Sequence, residues 1–373
     1  MTAALGSPDA VVDVVPVPPR GPAVVDALVR SLGPVVLALL TCGVILAIVG
    51  RDPVSFYADI LQAGVVRPSG LQDSITRMAP VLLVAGGMIV AFRAGMWNLG
   101  SDGQYLLAAA FVAGMAPGVL AAVSPPIGWL LLALLGMAVG AAWTIIPAWL
   151  RARYGLNEIV TTLMMSFVGS GLANLLVKGP FDGPSTVPQT GVIDVAQKLA
   201  TLPGTRIHIG VVVALVAVAA VYWIFSRTSF GMRVDVLGAN PRAAEHVGIG
   251  VPRLIVLTFL LSGALMGLAA SVDMLGIFGY MRADWNPAYG LKVVPLVFLA
   301  RLNALSVIPF AAFFSVLSIG GEYAARRAHL PSDFLLLVIG LVLTFMVVTQ
   351  YLTDKRERGE PIGPRRRRAV ARA

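Results

Sequence analysis

Seven stretches of this chain carry no Asp, Glu, Lys or Arg: Ser31–Gly50, Gly103–Leu150, Ile159–Val177, Ile207–Ser226, Leu254–Val272, Leu302–Gly321 and Phe334–Thr353. An α-helix rises about 1.5 Å per residue, so about 20 apolar residues cross a hydrocarbon layer of about 30 Å. Six of the stretches are near that length. Gly103–Leu150 is long enough for two crossings, with Ser124-Pro125-Pro126 at the turn. Met78–Phe92 is a shorter apolar run ending in a Gly-rich break. Only 13% of residues are charged and 57% are hydrophobic, whereas a soluble domain carries about a quarter charged residues. Lipid is the solvent such a surface fits. Long apolar runs, not alternating ones, select helices over a β-barrel.

Arg and Lys gather on cytoplasmic flanks, and their placement sets the number of crossings. Arg20 and Arg30 put the N-terminus inside. Arg151 and Arg153 follow four crossings, and Arg227, Arg233, Arg242 and Arg253 follow six. The tail, with Lys355, Arg356, Arg358, Arg365 to Arg368 and Arg372, should also be inside. Nine crossings would leave it outside. A tenth is therefore expected at Asn286–Ala300, despite Lys292 and Pro295. The expectation is an all-α polytopic membrane protein of about ten transmembrane helices, at least one of them broken or short, with both termini cytoplasmic. Residues 1–30 read as a flexible tail without a secretory signal, 31–353 as the membrane domain, and 354–373 as a basic tail. Arg51–Arg77 and Lys178–Arg206 read as outer loops, and Arg227–Arg253 as an inner one. Arg326 and Arg327 dissent by falling outside, which is read as a local feature.

The net charge of +9 follows mostly from the positive-inside bias. The Arg365 to Arg368 run suits anionic lipid headgroups rather than nucleic acid. The single cysteine, Cys42, can form neither an internal disulfide nor a metal cluster and reads as a small core residue. His208, His246 and His329 read as surface or interfacial residues. No G-x-x-x-x-G-K-[ST] phosphate loop occurs, so the chain is not itself a Walker-type ATPase. Gly136/Gly140 and Gly263/Gly267 have the spacing that lets helix backbones approach closely.

Three constellations carry functional information. In Gly95–Gln104, three glycines disfavour a continuous helix, and backbone groups freed at membrane depth need protein partners or a watery cavity. Trp97, Asn98 and Gln104, with Asn174 further on, are candidates for the substrate pathway; an ordinary polar turn is the competing reading. Asn157 and Glu158 open the next helix, where a carboxylate suits the helix dipole. Thr162, Ser166, Gly169 and Asn174 give that helix a polar stripe that should face the bundle interior. In Phe230–Ile249, Asn240 and Pro241 read as the N-cap and first position of a short helix.

Taken together, Asn98–Gln104, Asn157–Met165 and Gly238–Ile249 resemble the permease subunits of ATP-binding-cassette importers for branched-chain amino acids, simple sugars and nucleosides. The resemblance runs from Ser31 to Leu352. Gly179-Pro180-Phe181, Pro188-Gln189-Thr190 and Phe298–Asn303 are most similar to the nucleoside branch, with the simple-sugar branch as the alternative. The resemblance implies a transport subunit without catalytic residues, metal or cofactor, in the cytoplasmic (inner) membrane, with ATP and Mg bound by a partner ATPase. It implies two further partners, a second permease and an extracytoplasmic binding protein. It assigns ATPase coupling to Gly231, Arg233, Gly238, Asn240, Pro241, Arg242, Ala243, Ala244 and Gly248. Asp235 departs from the family pattern, which has a basic residue there. A stand-alone ion-coupled transporter would want charges inside its spans, and the runs above have none.

Overall fold

The computed structural model of the chain describes residues 23–331 and 334–357. Those residues form thirteen α-helices and no sheet. Helix α1 spans Ala23–Ile48, α2 Pro53–Leu61, α3 Pro68–Arg93, α4 Ser101–Ala122, α5 Pro125–Tyr154, α6 Glu158–Val177 and α7 Gly210–Arg227. Two short helices follow, α8 at Ser229–Ala239 and α9 at Pro241–His246. The chain continues through α10 at Val251–Asp273, α11 at Tyr289–Leu299, α12 at Val307–Arg327 and α13 at Phe334–Glu357. Among the described residues seven helices, α3 to α7, α10 and α12, are long and apolar enough to cross a membrane. The protein is thus an all-helical, multi-pass membrane protein.

The centre of the bundle is α3 and α10. In both, about two thirds or more of the most apolar window is inside the protein, 72% and 67%. For α5 and α6 the figure is 22%, so their apolar surface faces outward. Helices α5 and α10 form the most extensive pair. The small residues noted in the sequence meet there: a Cβ on Gly267 would be placed on the Gly136 carbonyl oxygen, and one on Gly140 on the Gly263 carbonyl. Backbone-to-backbone contact at this distance is open only to glycine. Cys42 is fully buried between α1, α2 and α12, as a small core residue.

Three expectations need correction. Arg51–Arg77 is not a loop. Asp52 caps α2 through Val54 N and Ser55 N, a π-helical turn follows at Gln62–Val66, and α3 begins ten residues before the expected Met78. Arg326 and Arg327, expected as a local feature, are both paired: Arg327 meets Asp59 of α2 at 2.5 Å and Arg326 meets Glu322 at 3.3 Å. Asn286–Ala300 is not a full helical crossing. Helix α11 has 11 residues, about 16 Å at about 1.5 Å per residue, half a hydrocarbon layer. The flexible tail expected at 1–30 gives way to α1 from Ala23 on. Its residues 1–22, and 358–373 of the basic tail, lie outside the described residues.

His208 is also misplaced by the sequence reading. It is 1% exposed, it accepts a hydrogen bond from Gly210 N at Nδ1, and burial lowers its pKa to about 4. It is a neutral core residue of the 178–209 loop.

The α5–α10 contact gives a direct test. Gly267→Ala should lower the thermal midpoint of the purified protein by an amount reflecting overpacking of about 1–3 kcal/mol or more. Gly171→Ala, where a Cβ meets nothing within 4 Å, should leave it unchanged. Size-exclusion after a temperature ramp reads both.

Candidate functional site

Two passages of non-helical backbone interrupt the bundle, and the candidate site is built around them. The first joins α3 to α4. Gly95 there has φ of +71°, and the backbone N–H groups freed by the break are met by α6. Leu99 N donates to Thr162 Oγ1 at 3.2 Å and Gly103 N to Ser166 Oγ at 3.0 Å. This is what the polar stripe of α6 does. Asn98 and Gln104 are 0% and 1% exposed and hold each other: Gln104 Nε2 donates to Asn98 Oδ1 at 2.8 Å, and Asn98 Nδ2 donates to Gln104 Oε1 at 3.1 Å. Asn98 also donates to Ser262 of α10 and accepts from Gly100 N. Trp97 is brought not to them but to Phe92 and Phe298, with ring centroids at 5.0 and 5.6 Å. Asn174 lies elsewhere, accepting a hydrogen bond from Asp284 N at 2.8 Å. At the start of α6, Asn157 caps Ile159 N and the Glu158 carboxylate faces Arg151 at 3.4 Å.

The α8–α9 segment abuts this break. Arg93 at the end of α3 donates through Nε to Asp235 Oδ1 at 2.8 Å, and its guanidinium lies 4.4 Å from the centroid of the Phe225 ring. Asp235 therefore uses its charge inside the molecule, which accounts for an acid where the family resemblance suggests a base. Gly238 packs on the backbone of Arg93 and Ala94, and a Cβ there would fall on the Arg93 carbonyl. Helix α9 starts as its sequence suggests. Asn240 Oδ1 accepts from Arg242 N at 3.0 Å and Ala243 N at 3.2 Å, and Pro241 takes the first position. Ala244 and Gly231 are buried; Arg233, Arg242, Ala243 and Gly248 are exposed.

The second passage joins α10 to α11. A π-helical turn, Met274–Phe278, ends α10, and its last carbonyls accept hydrogen bonds from Lys198 Nζ. The chain from Gly279 to Asp284 is then stitched to the long 178–209 loop. Thr190 N donates to Met281 O, Met281 N to Thr190 Oγ1, and Ala283 N to Pro188 O. Asp284 and Ala288 sit at φ of 59° and 53°, a conformation that costs a non-glycine residue energy and clusters at functional sites. Helix α11 then starts inside the bundle, where Gly290 N donates to Asp102 Oδ1 of α4 at 2.7 Å.

A cavity of about 180 Å³ opens beside this passage. Phe278, Trp285, Tyr289 and Phe314 give it aromatic and apolar walls; Arg77, Lys292, Ser318 and Glu322 give it polar ones. Phe278 and Trp285 meet edge to face at 4.8 Å, and the Arg77 guanidinium lies 5.5 Å from the Phe278 ring centroid. Behind the wall Asp273, 0% exposed, accepts hydrogen bonds from both Tyr105 Oη and Tyr289 Oη. Arg77 lies within electrostatic reach of Asp273 and Glu322, and Lys292 of Asp102. Glu322 in turn pairs with Arg326 at 3.3 Å, so acidic and basic groups stand side by side in and around the cavity wall. The sequence reading missed this group. Its signal was an Arg and an Asp standing directly at the edges of charge-free runs, at Arg77 and Asp273.

Residues 70–347 match the family described as branched-chain amino acid transport system, permease component, and the chain belongs to that family. It is 32% identical over 338 residues to the glucose ABC transporter permease protein TsgB13 of Haloferax volcanii, covering 86% of this chain and 87% of that one. It is 26% identical to the nucleoside ABC transporter permease protein NupB of Lactococcus lactis, covering 84% and 89%. A second Haloferax volcanii protein, the putative glucose ABC transporter permease TsgC13, is 27% identical over 67% of this chain and 76% of its own. The chain is the transport component of an ABC transporter; it catalyses no reaction, and ATP is bound by a partner ATPase.

The contact of α8 with the end of α3 generates an expectation. Gly238→Val should leave membrane insertion intact while lowering substrate-stimulated ATP hydrolysis of the assembled transporter by roughly tenfold, within the usual range of coupling energies. Reconstituted ATPase assays with and without substrate and binding protein check it.

Proposed function

We propose that the chain forms half the pore of an importer for a neutral, hydroxyl-rich solute with a sugar ring, and that the cavity beside α11 receives it. The observation that carries this reading is the aromatic-walled cavity with hydrogen-bonding groups of both signs on its surface. Aromatic faces suit the apolar face of a sugar ring. Arg, Lys, Ser and carboxylate groups supply donors and acceptors for hydroxyls. A free monosaccharide is the first reading, supported by the relative named for glucose. A nucleoside is the second, supported by the relative named for nucleosides and by the Phe278–Trp285 pair, which offers a surface for a base.

In this reading the α8–α9 end faces the cytoplasm, in keeping with Arg151, Arg153, Arg227, Arg233, Arg242 and Arg253 gathered there. Both termini are then cytoplasmic, and the ATPase docks on Gly231–Gly248. The 178–209 loop, on the opposite end, meets the binding protein. Similarity to two permease proteins of one organism supports a second, different permease chain as the other half of the pore. Asn98 and Gln104 then serve the pathway by holding the α3–α4 break in shape, Trp97 stands at its cytoplasmic end, and Asn174 positions the loop at Asp284.

The test is uptake of labelled D-glucose and adenosine by the complete transporter in proteoliposomes. One of the two should accumulate on ATP addition. Trp285→Ala should raise its KM by about tenfold, the order of one lost aromatic contact. Transport of neither solute, with transport of an amino acid instead, would contradict the reading.

A further inference from the structure

Asp273 has no place on the cavity surface, yet it holds two of the groups that make it. The carboxylate is fully buried, at the last residue of α10 before the π-helical turn. Its Oδ2 accepts from Tyr105 of α4 and from Tyr289 of α11. Its Oδ1 has no hydrogen-bond partner among the described residues. Arg77 of α3, which lines the cavity, lies within electrostatic reach of both Asp273 and Tyr289. An acid inside a membrane-spanning bundle is costly unless paired and marks a functional position more often than a structural one. Four elements, α3, α4, α10 and α11, meet at this one side chain.

Two of those elements end in special backbone. Helix α11 begins at Ala288 in the left-handed region and ends near Arg301 and Leu302, both also at positive φ. A half-length helix between two such turns has few backbone ties of its own. The bonds that fix its first turn are Gly290 N to Asp102 and Tyr289 Oη to Asp273. Helix α10, in turn, runs unbroken from Val251, directly after the α8–α9 segment, to Asp273.

We propose that Asp273 is the positioning residue of the substrate cavity: it sets the Tyr289 hydroxyl and the Arg77 guanidinium in place, and it ties the half-helix α11 to α10, the helix that leads from the ATPase-facing segment. This rests on the cavity beside α11 being the solute site. Movement of α10 driven from the α8–α9 end would reach the solute through this carboxylate. Replacing the carboxyl by an amide changes what both the Tyr289 hydroxyl and the Arg77 guanidinium face, so the cavity loses the placement of two of its polar groups.

Two measurements on the assembled transporter test the proposal. In the first, hydrogen–deuterium exchange is followed in the purified complex for Tyr105→Phe and Asp273→Asn. Tyr105→Phe removes one hydrogen bond to Asp273 and keeps the ring that packs on Tyr289. Exchange at residues 285–292 should rise by about tenfold, the order of one lost hydrogen bond. Exchange along α5 and the Gly263–Gly267 part of α10 should stay as in the parent. A rise spread evenly over α10 and α5, or no change at 285–292, would reduce Asp273 to a structural acid and overturn the proposal. In the second, the KM for whichever of D-glucose and adenosine the parent carries should rise by about tenfold in Asp273→Asn with the maximal rate within about twofold, and Asp273→Glu should recover part of the loss. Equal KM in Asp273→Asn and parent would overturn the proposal. Trp285→Ala separates the two claims: if it leaves KM unchanged the cavity reading fails, while the exchange result still decides whether Asp273 positions α11. If Asp273→Asn does not accumulate, Tyr105→Phe decides alone.

Discussion

A backbone that leaves the helix inside a membrane must find every hydrogen bond within the protein, and this requirement organises the molecule. The chain leaves the helix twice within the bundle, between α3 and α4 and between α10 and α11. At the first break, Thr162 and Ser166 of α6 accept the freed N–H groups, and Asn98 and Gln104 close on each other. At the second, the 178–209 loop supplies Thr190 and Pro188, and α4 supplies Asp102. Each break is thus fixed by a different helix. The aromatic and charged side chains of the cavity hang on the second.

The same requirement links the two ends of the molecule. The first break lies against α8 through Arg93–Asp235 and the Gly238 contact. The second lies at the far end of α10, whose first turn follows α9 directly. Helices α3 and α10 are the most enclosed of the spans and pack on each other around Gly87 and Met266. A displacement at the α8–α9 end therefore acts on the two helices that carry both breaks. The glycines at the α5–α10 crossing hold a close helix pair beside them without a flexible side chain in between.

The sequence made the spans legible because charge-free runs of membrane length leave little choice, and the helix start at Asn240-Pro241 because a side-chain cap is a local event. The polar stripe of α6 could be assigned to the interior, since Thr162 and Ser166 facing lipid would be left without partners. Three things were hidden, each for a physical reason. The helices of 53–77 carry Asp59, Asp73 and Arg77, with Arg67 between two of them, and much of their surface is exposed, so charge disguised the segment as a loop. The segment 286–300 holds a helix of only 11 residues after a non-helical start, a boundary that Lys292 and Pro295 do not locate. The cavity and the acids behind its wall join Arg77, Asp102, Asp273 and Tyr289, residues of four helices whose meeting depends on packing alone. Asn98 and Gln104 drew attention as pathway residues because a polar side chain in a Gly-rich break reads the same whether it waits for a ligand or satisfies its neighbour.

In the proposed function the cavity beside α11 lies on the solute pathway. Ser318 lines it, and the buried Cys42 is the chain's single cysteine, so Ser318→Cys in a Cys42→Ala background places one reactive thiol in the cavity. The measurement is the rate of its modification by a small membrane-impermeant thiol reagent in the complete transporter, with and without transported solute and binding protein. The account predicts modification that ATP turnover alters and that the solute slows. A thiol that reacts at one rate in every condition, or that reacts in none, would contradict it.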